Sequence, residues 1–434
     1  MYIDKDYTIN AKLLHEIIDN HEKKLKHYKK LEEYYLGQHA ILDRDKEERS
    51  VFNNKIVVNH AKYITDISVG YLLGKKVDYQ PSKGYNIEPI LDVYKKQTIT
   101  DLDVELATNV SIKGRECEYV YSDEEGNPKS ALGTISNTIL VRDNTVEHNK
   151  LFGLIYEEEK GIYQITLVDK IKKYEYALNG NDLTLIDETD HYFGEVPIIE
   201  YDNNPEAQGD FEPVLSLIDA YNLLQSDRLN DKEQLVDAIL VISGSELTEE
   251  GRKALKKSRV MMLGEGEKAE YLIKQLNEAD TDILRQVVEQ DIHKISMTPN
   301  MTDDNFAANS SGVAIKYKLL AFEQKIIKKE RYFEKSLMER FALYNNFLNI
   351  KQNMQIVPTE EVDAVFTRNL PINDLEIAQM IALLENKVDN ETLISRLSFV
   401  DDASEIVKLV EENKMANMEA YMGRFEEPNE GEEE

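Results

Sequence analysis

The chain has 434 residues, with 82 acidic and 52 basic side chains and a formal net charge of −30 at pH 7. Hydrophobic residues make up 41% and charged residues 31%, which predicts a folded chain with a core and excludes a disordered one. The length favours about two to four domains. So acidic a chain is a poor candidate for tight nucleic-acid binding, because phosphate contacts depend on clustered Lys and Arg.

Membrane insertion and secretion are not expected. The apolar runs, such as Ile239 to Ile242, are far shorter than the roughly 20 residues that cross a bilayer. The segment Met1 to Asp6 lacks a basic region followed by an apolar stretch, so it does not predict a secretory signal. Cys117 is the single cysteine, which rules out an intrachain disulfide and favours assembly in a reducing cytoplasm.

The first half of the chain predicts helices followed by strands. Apolar residues at helical spacing predict helices over 10–37, 59–73 and 87–112. Residues 116–201 change to short runs rich in Val, Ile, Tyr and Thr, which predicts antiparallel strands. The turn signals between these runs are Glu125-Gly126-Asn127-Pro128, Lys160-Gly161 and Asn179-Gly180-Asn181.

The second half returns to helical periodicity, so the expected fold class is α+β and mainly helical. Helices are predicted over 214–238 and 280–296, with a compact mixed segment, 239–275, between them. A polar loop over 300–312 then precedes a helix of more than ten turns over 313–350. The remaining predictions are an extended stretch at 354–370, helices at 374–388, 390–399 and from about 403, and a disordered acidic tail at 425–434.

Sequence motifs for catalysis are missing. No G-x-x-x-x-G-K-[ST] loop occurs, and Gly264 to Lys268 is interpreted as a turn. The histidines never form H-E-x-x-H, and a single cysteine makes a zinc site improbable. Ser310-Ser311 has no neighbouring histidine, and acidic pairs are expected by chance among 82 carboxylates. We therefore predict a protein that is not an enzyme, with no cofactor and no metal.

A basic cluster interrupts this acidic sequence. It is either a solvated helix face or a docking site for an acidic partner or a phosphate backbone. Its residues are Arg252, Lys253, Lys256, Lys257 and Arg259.

Four stretches carry a resemblance to a known family. They are Asn53 to Asp66 with Gly70 to Gly74, Leu217 to Asn222 with Ser226, Asp227 and Asn230, Asp237 to Val241, and Asn309 to Lys318. In this order, over about residues 10 to 400, the chain resembles the SPP1-type portal proteins of tailed bacteriophages. Each match is short, and the agreement in order is what gives it weight.

The resemblance implies a multi-region portal subunit with a wing rich in antiparallel strands, a stem, a clip and a crown. It places the wing at 1–211 and 351–372, the stem helices at 212–238 and 277–298, the clip at 239–276, the tunnel loop at 299–312, the long kinked helix at 313–350 and the crown at 373–424, before the tail at 425–434.

The resemblance also implies a function as a virion structural protein. Twelve copies would form a ring at one vertex of the head, through which double-stranded DNA is packaged and ejected. The implied partners are the terminase large subunit, a head-completion or adaptor protein, and the major capsid and scaffold proteins. Twelvefold repetition of a charge of −30 would make the tunnel electronegative, so DNA should slide without sequence-specific contacts.

Particular side chains follow from the resemblance. The residues expected to face DNA in the tunnel loop are Asp303, Asp304, Asn305, Phe306, Asn309 and Ser310. Phe306 either contacts DNA or anchors the loop against its neighbour. Lys316 and Lys318 either line a basic belt beyond the loop or pair with carboxylates across subunits. The basic cluster at 252–259 falls in the clip, where terminase is expected to dock.

Two alternatives stay open at this point. One is another head protein or scaffold-type interaction protein, which would lack the closed cyclic symmetry of a ring with a DNA-wide hole. The other is a carboxylate-dependent nuclease, which would show activity with magnesium.

Overall fold

A computed structural model gives the fold of the chain. It describes residues 1–45, 52–236, 239–243, 268–272, 278–301, 317–368, 374–384, 387–394, 397, 400, 406–410, 412 and 415. The chain divides into two compact units, Met1–Thr302 with Lys318–Asn369 and Asp303–Tyr317 with Leu370–Glu434. Within the described ranges, no helix combines the length and the apolar character that a membrane crossing needs.

The helices follow the predicted periodicity closely, and side-chain caps fix two of their starts. The Asn10 side chain accepts a hydrogen bond from the Leu13 amide at 3.0 Å, and Asn59 accepts one from the Lys62 amide at 2.9 Å. In chain order the helices are α1 (Ala11–Tyr35), α2 (His60–Leu73), α3 (Glu88–Lys96), α4 (Ile99–Lys113), α5 (Leu215–Val236), α6 (Glu278–Ile295), α7 (Leu320–Gln352), α8 (Asp374–Leu384) and α9 (Asn390–Ile394).

The single helix predicted over 87–112 is wrong, because α3 and α4 are separate helices. Thr98 between them has a φ of 50°, in the left-handed region that a continuous right-handed helix excludes. Gln97 leaves the helix to bind the strand beside it. Its amide donates to the Pro128 carbonyl at 2.5 Å and accepts from the Ser130 amide at 3.1 Å.

The predicted strands form antiparallel sheets, and the three turn signals connect consecutive strands. The strands are β1 (Tyr2–Ile3), β2 (Asp78–Pro81), β3 (Arg115–Ser122), β4 (Pro128–Leu132), β5 (Thr138–Asp143), β6 (Lys150–Glu159), β7 (Ile162–Val168), β8 (Lys172–Asn179), β9 (Asp182–Asp190), β10 (Ile198–Asp202), β11 (Ile239–Ser243), β12 (Lys268–Leu272) and β13 (Val362–Val365). At the β6–β7 turn Lys160 and Gly161 both have positive φ, which matches the twist of a two-residue hairpin.

Sheet order sets the layers of the first unit. One sheet has the order β1-β5-β6-β7-β8-β9, with β1 parallel to β5, and a second has the order β10-β3-β4. β13 pairs antiparallel with β2, and β11 with β12. The first half of α1 covers the larger sheet, where Leu14, Ile17 and Ile18 join Phe152 and Leu154 in one core.

The long helix α7 packs against the smaller sheet and carries a buried charge. Arg340 is 0% exposed and binds Asp103 at 2.6 Å and Glu118 at 2.7 Å. Tyr201 of β10 donates to Glu118 at 2.6 Å. Because an unpaired buried charge is costly, this network ties α7 to α4 and to both neighbouring strands.

A second core joins the helices that the resemblance assigns to the wing and the stem. Leu31 of α1, Ile64 of α2, Ile218 of α5 and Ile292 of α6 are all fully buried there. It brings α5 and α6 against α2, which positions the chain leaving α6.

The α+β class with several antiparallel sheets is confirmed, while the wing, stem, clip and crown limits stay predictions. In the second unit, α8 and α9 lie within the helices predicted at 374–388 and 390–399. The acidic tail at 425–434 lies outside the described residues.

Candidate functional site

The base of the predicted tunnel loop is the region where the described residues bear most directly on function. It follows from the pairing of α5 and α6. Arg285 of α6 binds Asp282 at 3.2 Å, Glu289 at 3.1 Å and the hydroxyl of Tyr221 on α5 at 3.2 Å. Arg228 of α5 adds a contact of 3.3 Å with Asp282. The contacts of Arg285 with Tyr221 and of Arg228 with Asp282 join the two predicted stem helices.

The sequence ends α6 where the prediction placed its end. Met297 has a φ of 52°, and Thr298 precedes Pro299, which disfavours helical backbone in the residue before it. The Thr298 amide donates to the His293 carbonyl at 3.1 Å, and His293 Nδ1 forms a hydrogen bond of 3.0 Å with the Thr298 carbonyl. The chain therefore leaves α6 in a fixed turn.

Tyr63 of α2 holds the first residues of the predicted loop. Its hydroxyl donates to the Pro299 carbonyl at 3.0 Å and accepts from the Met301 amide at 2.9 Å. The rings of Tyr63 and His60 both meet the His293 ring edge-on, with centroids 5.6 and 5.7 Å away. Burial, together with the neighbouring His293, lowers the pKa of His60 to about 4, so the ring is neutral at pH 7.

Lys325 reaches back from α7 to the same turn. Its Nζ donates to the Ser296 carbonyl at 3.2 Å, to Thr298 Oγ1 at 3.3 Å and to Ser68 Oγ of α2 at 3.2 Å. A lysine at the end of a helix also complements the partial negative charge of its last carbonyls. This one amino group connects the end of α6, the middle of α2 and the second turn of α7.

Asp210 balances one buried and one partly buried lysine at this junction. It lies 2.9 Å from Lys329 and 3.4 Å from Lys325, and the side chains of Asp210 and Lys329 are only 3% and 2% exposed. Asn203 donates to it at 3.0 Å, and the Ser111 hydroxyl donates a further hydrogen bond. Burial opposes ionisation, but the charges of Lys325 and Lys329 and the two hydrogen bonds outweigh it and hold the pKa of Asp210 far below its usual range.

This junction positions backbone and offers little for catalysis. Its carboxylate is neutralised by lysines, and its histidines contact tyrosine rings and main-chain atoms. Over the ranges that the structure describes, no three His, Cys, Asp or Glu side chains are arranged to hold a metal ion. What the arrangement can do is hold the base of a loop against the rest of the unit.

The predicted site residues themselves fall almost entirely outside the described chain. Those outside it are Asp303, Asp304, Asn305, Phe306, Asn309, Ser310 and Lys316 of the loop region, and Arg252, Lys253, Lys256, Lys257 and Arg259 of the basic cluster. Lys318 is described and exposed, just before α7 begins. The proposed DNA-facing and docking roles stay predictions.

Sequence reasoning missed the residues that build the junction. Lys325 and Lys329 stand four residues apart on the apolar side of a long amphipathic helix, a position where a charge needs a buried partner. From this spacing the sequence could have predicted a buried ion pair. Nothing in the local sequence identified Asp210 as the partner, since it is one of 82 carboxylates and lies more than 100 residues away.

Part of the α5–α6 pair is both apolar and exposed. Ile283 is 59% and Val287 46% exposed on one side of α6, with Leu284 beside them and Leu223 and Leu229 exposed on α5. Clustered exposed apolar side chains on paired helices are typical of a surface covered in an assembly.

Comparison with known proteins places the chain in a family. A family model described as phage portal protein, SPP1 Gp6-like, matches residues 14–419. The chain is 24% identical to the portal protein of Clostridium phage phiCD119, over 88% of this chain and 91% of that protein. It is 23% identical to the portal protein of Bacillus phage SPP1, over 94% of this chain and 88% of that one.

These relatives belong to a class of structural proteins of the phage head, which is not a class of enzymes. A match over residues 14–419 covers nearly the whole chain, so the protein belongs to the SPP1 Gp6-like family of phage portal proteins. The resemblance found in the sequence is confirmed. Portal proteins are virion components that associate with the capsid and assemble as oligomers.

Proposed function

We propose that twelve copies of this chain form a ring at one vertex of the phage head and that DNA passes through the ring during packaging and ejection. The single observation that carries this proposal is the family match over residues 14–419. The exposed apolar side chains on α6, Ile283, Leu284 and Val287, support it, because a ring would cover such a surface.

In this proposal the tunnel loop faces DNA, and the junction around Lys325 and Asp210 transmits force between the loop and the body. Acidic and amide side chains such as Asp303, Asp304 and Asn305 would make weak contacts without sequence specificity. The net charge of −30 per copy would discourage the duplex from sticking to the wall.

The clip would be the docking platform for the terminase large subunit and later for a head-completion protein. The basic cluster at 252–259 is the proposed contact, since clustered cations attract acidic partners.

Electron microscopy of the purified chain tests the ring. End-on averages with twelvefold symmetry and a hole wide enough for duplex DNA would support the proposal. Closed dimers without a channel would contradict it.

A paired set of variants tests the clip. Lys256→Glu with Lys257→Glu should leave rings intact and block packaging or connector assembly. Lys75→Glu with Lys76→Glu reverses two adjacent exposed lysines elsewhere and should change neither. Loss of the ring in the clip variant, or equal loss of packaging in both variants, would contradict the assignment.

A further inference from the structure

The outward face of α7 carries a row of three exposed cations. Lys328, Arg331 and Lys335 are exposed and recur at spacings of three and four residues, so they lie on one side of the helix. We call them the basic row. Lys328 has one loose contact with Glu206 at 3.6 Å, where both side chains are more than half exposed. In the described part of the chain, neither Arg331 nor Lys335 forms an ion pair. The row borders a shallow depression lined by Gln324, Ile327, Lys328, Arg331, Tyr332 and Lys335.

A patch of opposite sign lies on the adjacent face of α7 and on β13. This acidic cluster consists of Glu323, Glu330, Glu334 and Asp363, with Arg368 bound to Glu323 at 3.0 Å and to Glu330 at 2.5 Å. Among the described residues Glu334 and Asp363 have no cationic partner. Partial burial and the charges of Glu330 and Asp363 raise the pKa of Glu334, which agrees with an excess of negative charge in the cluster.

The two patches have opposite charges and lie side by side along α7. Three cations give the basic row a charge of +3, or +2 with the neighbouring Glu206, while four carboxylates and one guanidinium leave the acidic cluster at −3. Arg331 directly follows Glu330, and Lys335 directly follows Glu334. A closed ring of identical subunits needs a contact between two different patches of the same subunit, and these two meet that requirement.

A phosphate backbone is a poorer fit for the basic row than a protein surface. Glu206 lies beside Lys328, and the glutamates of the acidic cluster lie about 100° round the same helix, so a polyanion would meet carboxylates next to the lysines. The half-buried Ile327 and Tyr332 give the depression an apolar floor, as expected at the centre of a protein interface.

We propose that the basic row of one copy docks onto the acidic cluster of the next copy, as an electrostatic contact that closes the ring. This inference rests on the proposed ring, because it names the surfaces through which neighbouring copies meet.

Charge reversal of the full-length chain tests the contact. The row variant carries Lys328→Glu, Arg331→Glu and Lys335→Glu, and the cluster variant carries Glu334→Lys and Asp363→Lys. Each variant alone places like charges at every contact, so the apparent dissociation constant of the ring should rise by at least about 100-fold. Mixed in equal amounts, the two variants have complementary patches at every contact and should form rings of alternating copies.

A matched control separates this contact from a general charge effect. Lys23→Glu, Lys26→Glu and Lys30→Glu on α1 reverse three exposed lysines at the same spacing and should leave ring formation unchanged. Assembly is measured by light scattering after size exclusion and by electron microscopy, and circular dichroism confirms that each variant is folded. A chain carrying all five reversals of the row and the cluster should again form rings on its own.

The outcomes are distinguishable. Rings from either reversed variant alone at wild-type concentrations would overturn the docking contact and leave the proposed function intact. Folded variants that form no rings when mixed would also overturn the docking contact. A row variant that forms normal rings but loses its retention of duplex DNA would also overturn it, in favour of a phosphate contact. Absence of rings from the wild-type chain would overturn the proposed ring itself.

Discussion

Replacing Asp210 with asparagine removes one negative charge and almost no volume from the junction beneath the predicted loop. In the wild type, Asp210 lies 2.9 Å from Lys329 and 3.4 Å from Lys325. The substitution leaves both lysines without this carboxylate. Removing one partner of a buried ion pair typically costs about 3–5 kcal/mol. The loss of stability cannot exceed about 4.6 kcal/mol per lysine, because that is the free energy needed at pH 7 to neutralise a side chain with a pKa of about 10.4.

The pH dependence identifies the cause of the loss. In the variant, a buried unpaired lysine binds its proton less tightly when folded than when unfolded, so stability rises with pH up to about 10.4. The deficit relative to the wild type should therefore shrink between about pH 7 and about pH 10. On the acid side the lowered pKa of Asp210 gives the wild type stability that is present above about pH 3.9 and is lost as pH falls through the folded value. The difference in stability between the wild type and the variant should therefore narrow at acid pH too.

Denaturant unfolding at one protein concentration measures the loss, since association would add its own contribution to stability. Asp227→Asn is the control, because Asp227 is 46% exposed in its 2.7 Å ion pair with Arg44 and should contribute about 1 kcal/mol or less. A deficit below about 1 kcal/mol for Asp210→Asn, or one that stays constant with pH, would refute the reasoning.

Three further predictions concern other parts of the first unit. Tyr63→Phe removes the acceptor of the Met301 amide, and hydrogen exchange at that amide should speed up by about 10-fold with little change in global unfolding; unchanged exchange would count against the anchoring role. Gly114→Ala should destabilise by roughly 2–4 kcal/mol, because φ is +81° and a Cβ would lie 2.1 Å from the Ala207 carbonyl oxygen; a thermal melt like the wild type's would exclude this strain. Arg340→Met leaves two carboxylates buried without their cation and should cost about 3–5 kcal/mol in denaturant unfolding, against less than about 1 kcal/mol if the network were solvated.

The elements that the sequence predicted well depend on neighbours in the chain. The Asn10 and Asn59 caps lie three residues from their partners, and the Lys160-Gly161 turn joins adjacent strands. The split at Thr98 was missed, since it arises from the contacts of Gln97 with a strand about 30 residues later.

Charged and polar contacts inside the core could not be predicted from residues that are neighbours in the sequence. Arg340 finds Asp103 at a separation of 237 residues and Glu118 at 222, and Tyr63 meets Pro299 at 236. Asp103 and Glu118 are buried carboxylates that no sequence pattern singled out, and both compensate the buried cation of Arg340. No periodic pattern in the sequence reports such pairings, whereas the family resemblance held because it depended on the order of several matched stretches.

The attachment of Lys325 has a consequence for how this protein can change over generations. Its amino group joins the end of α6 to α2 and α7 through hydrogen bonds to Ser296, Thr298 and Ser68. These three bonds are made by residues outside the proposed tunnel loop, so in the proposed ring the sequence of that loop can change while the frame beneath it keeps these contacts.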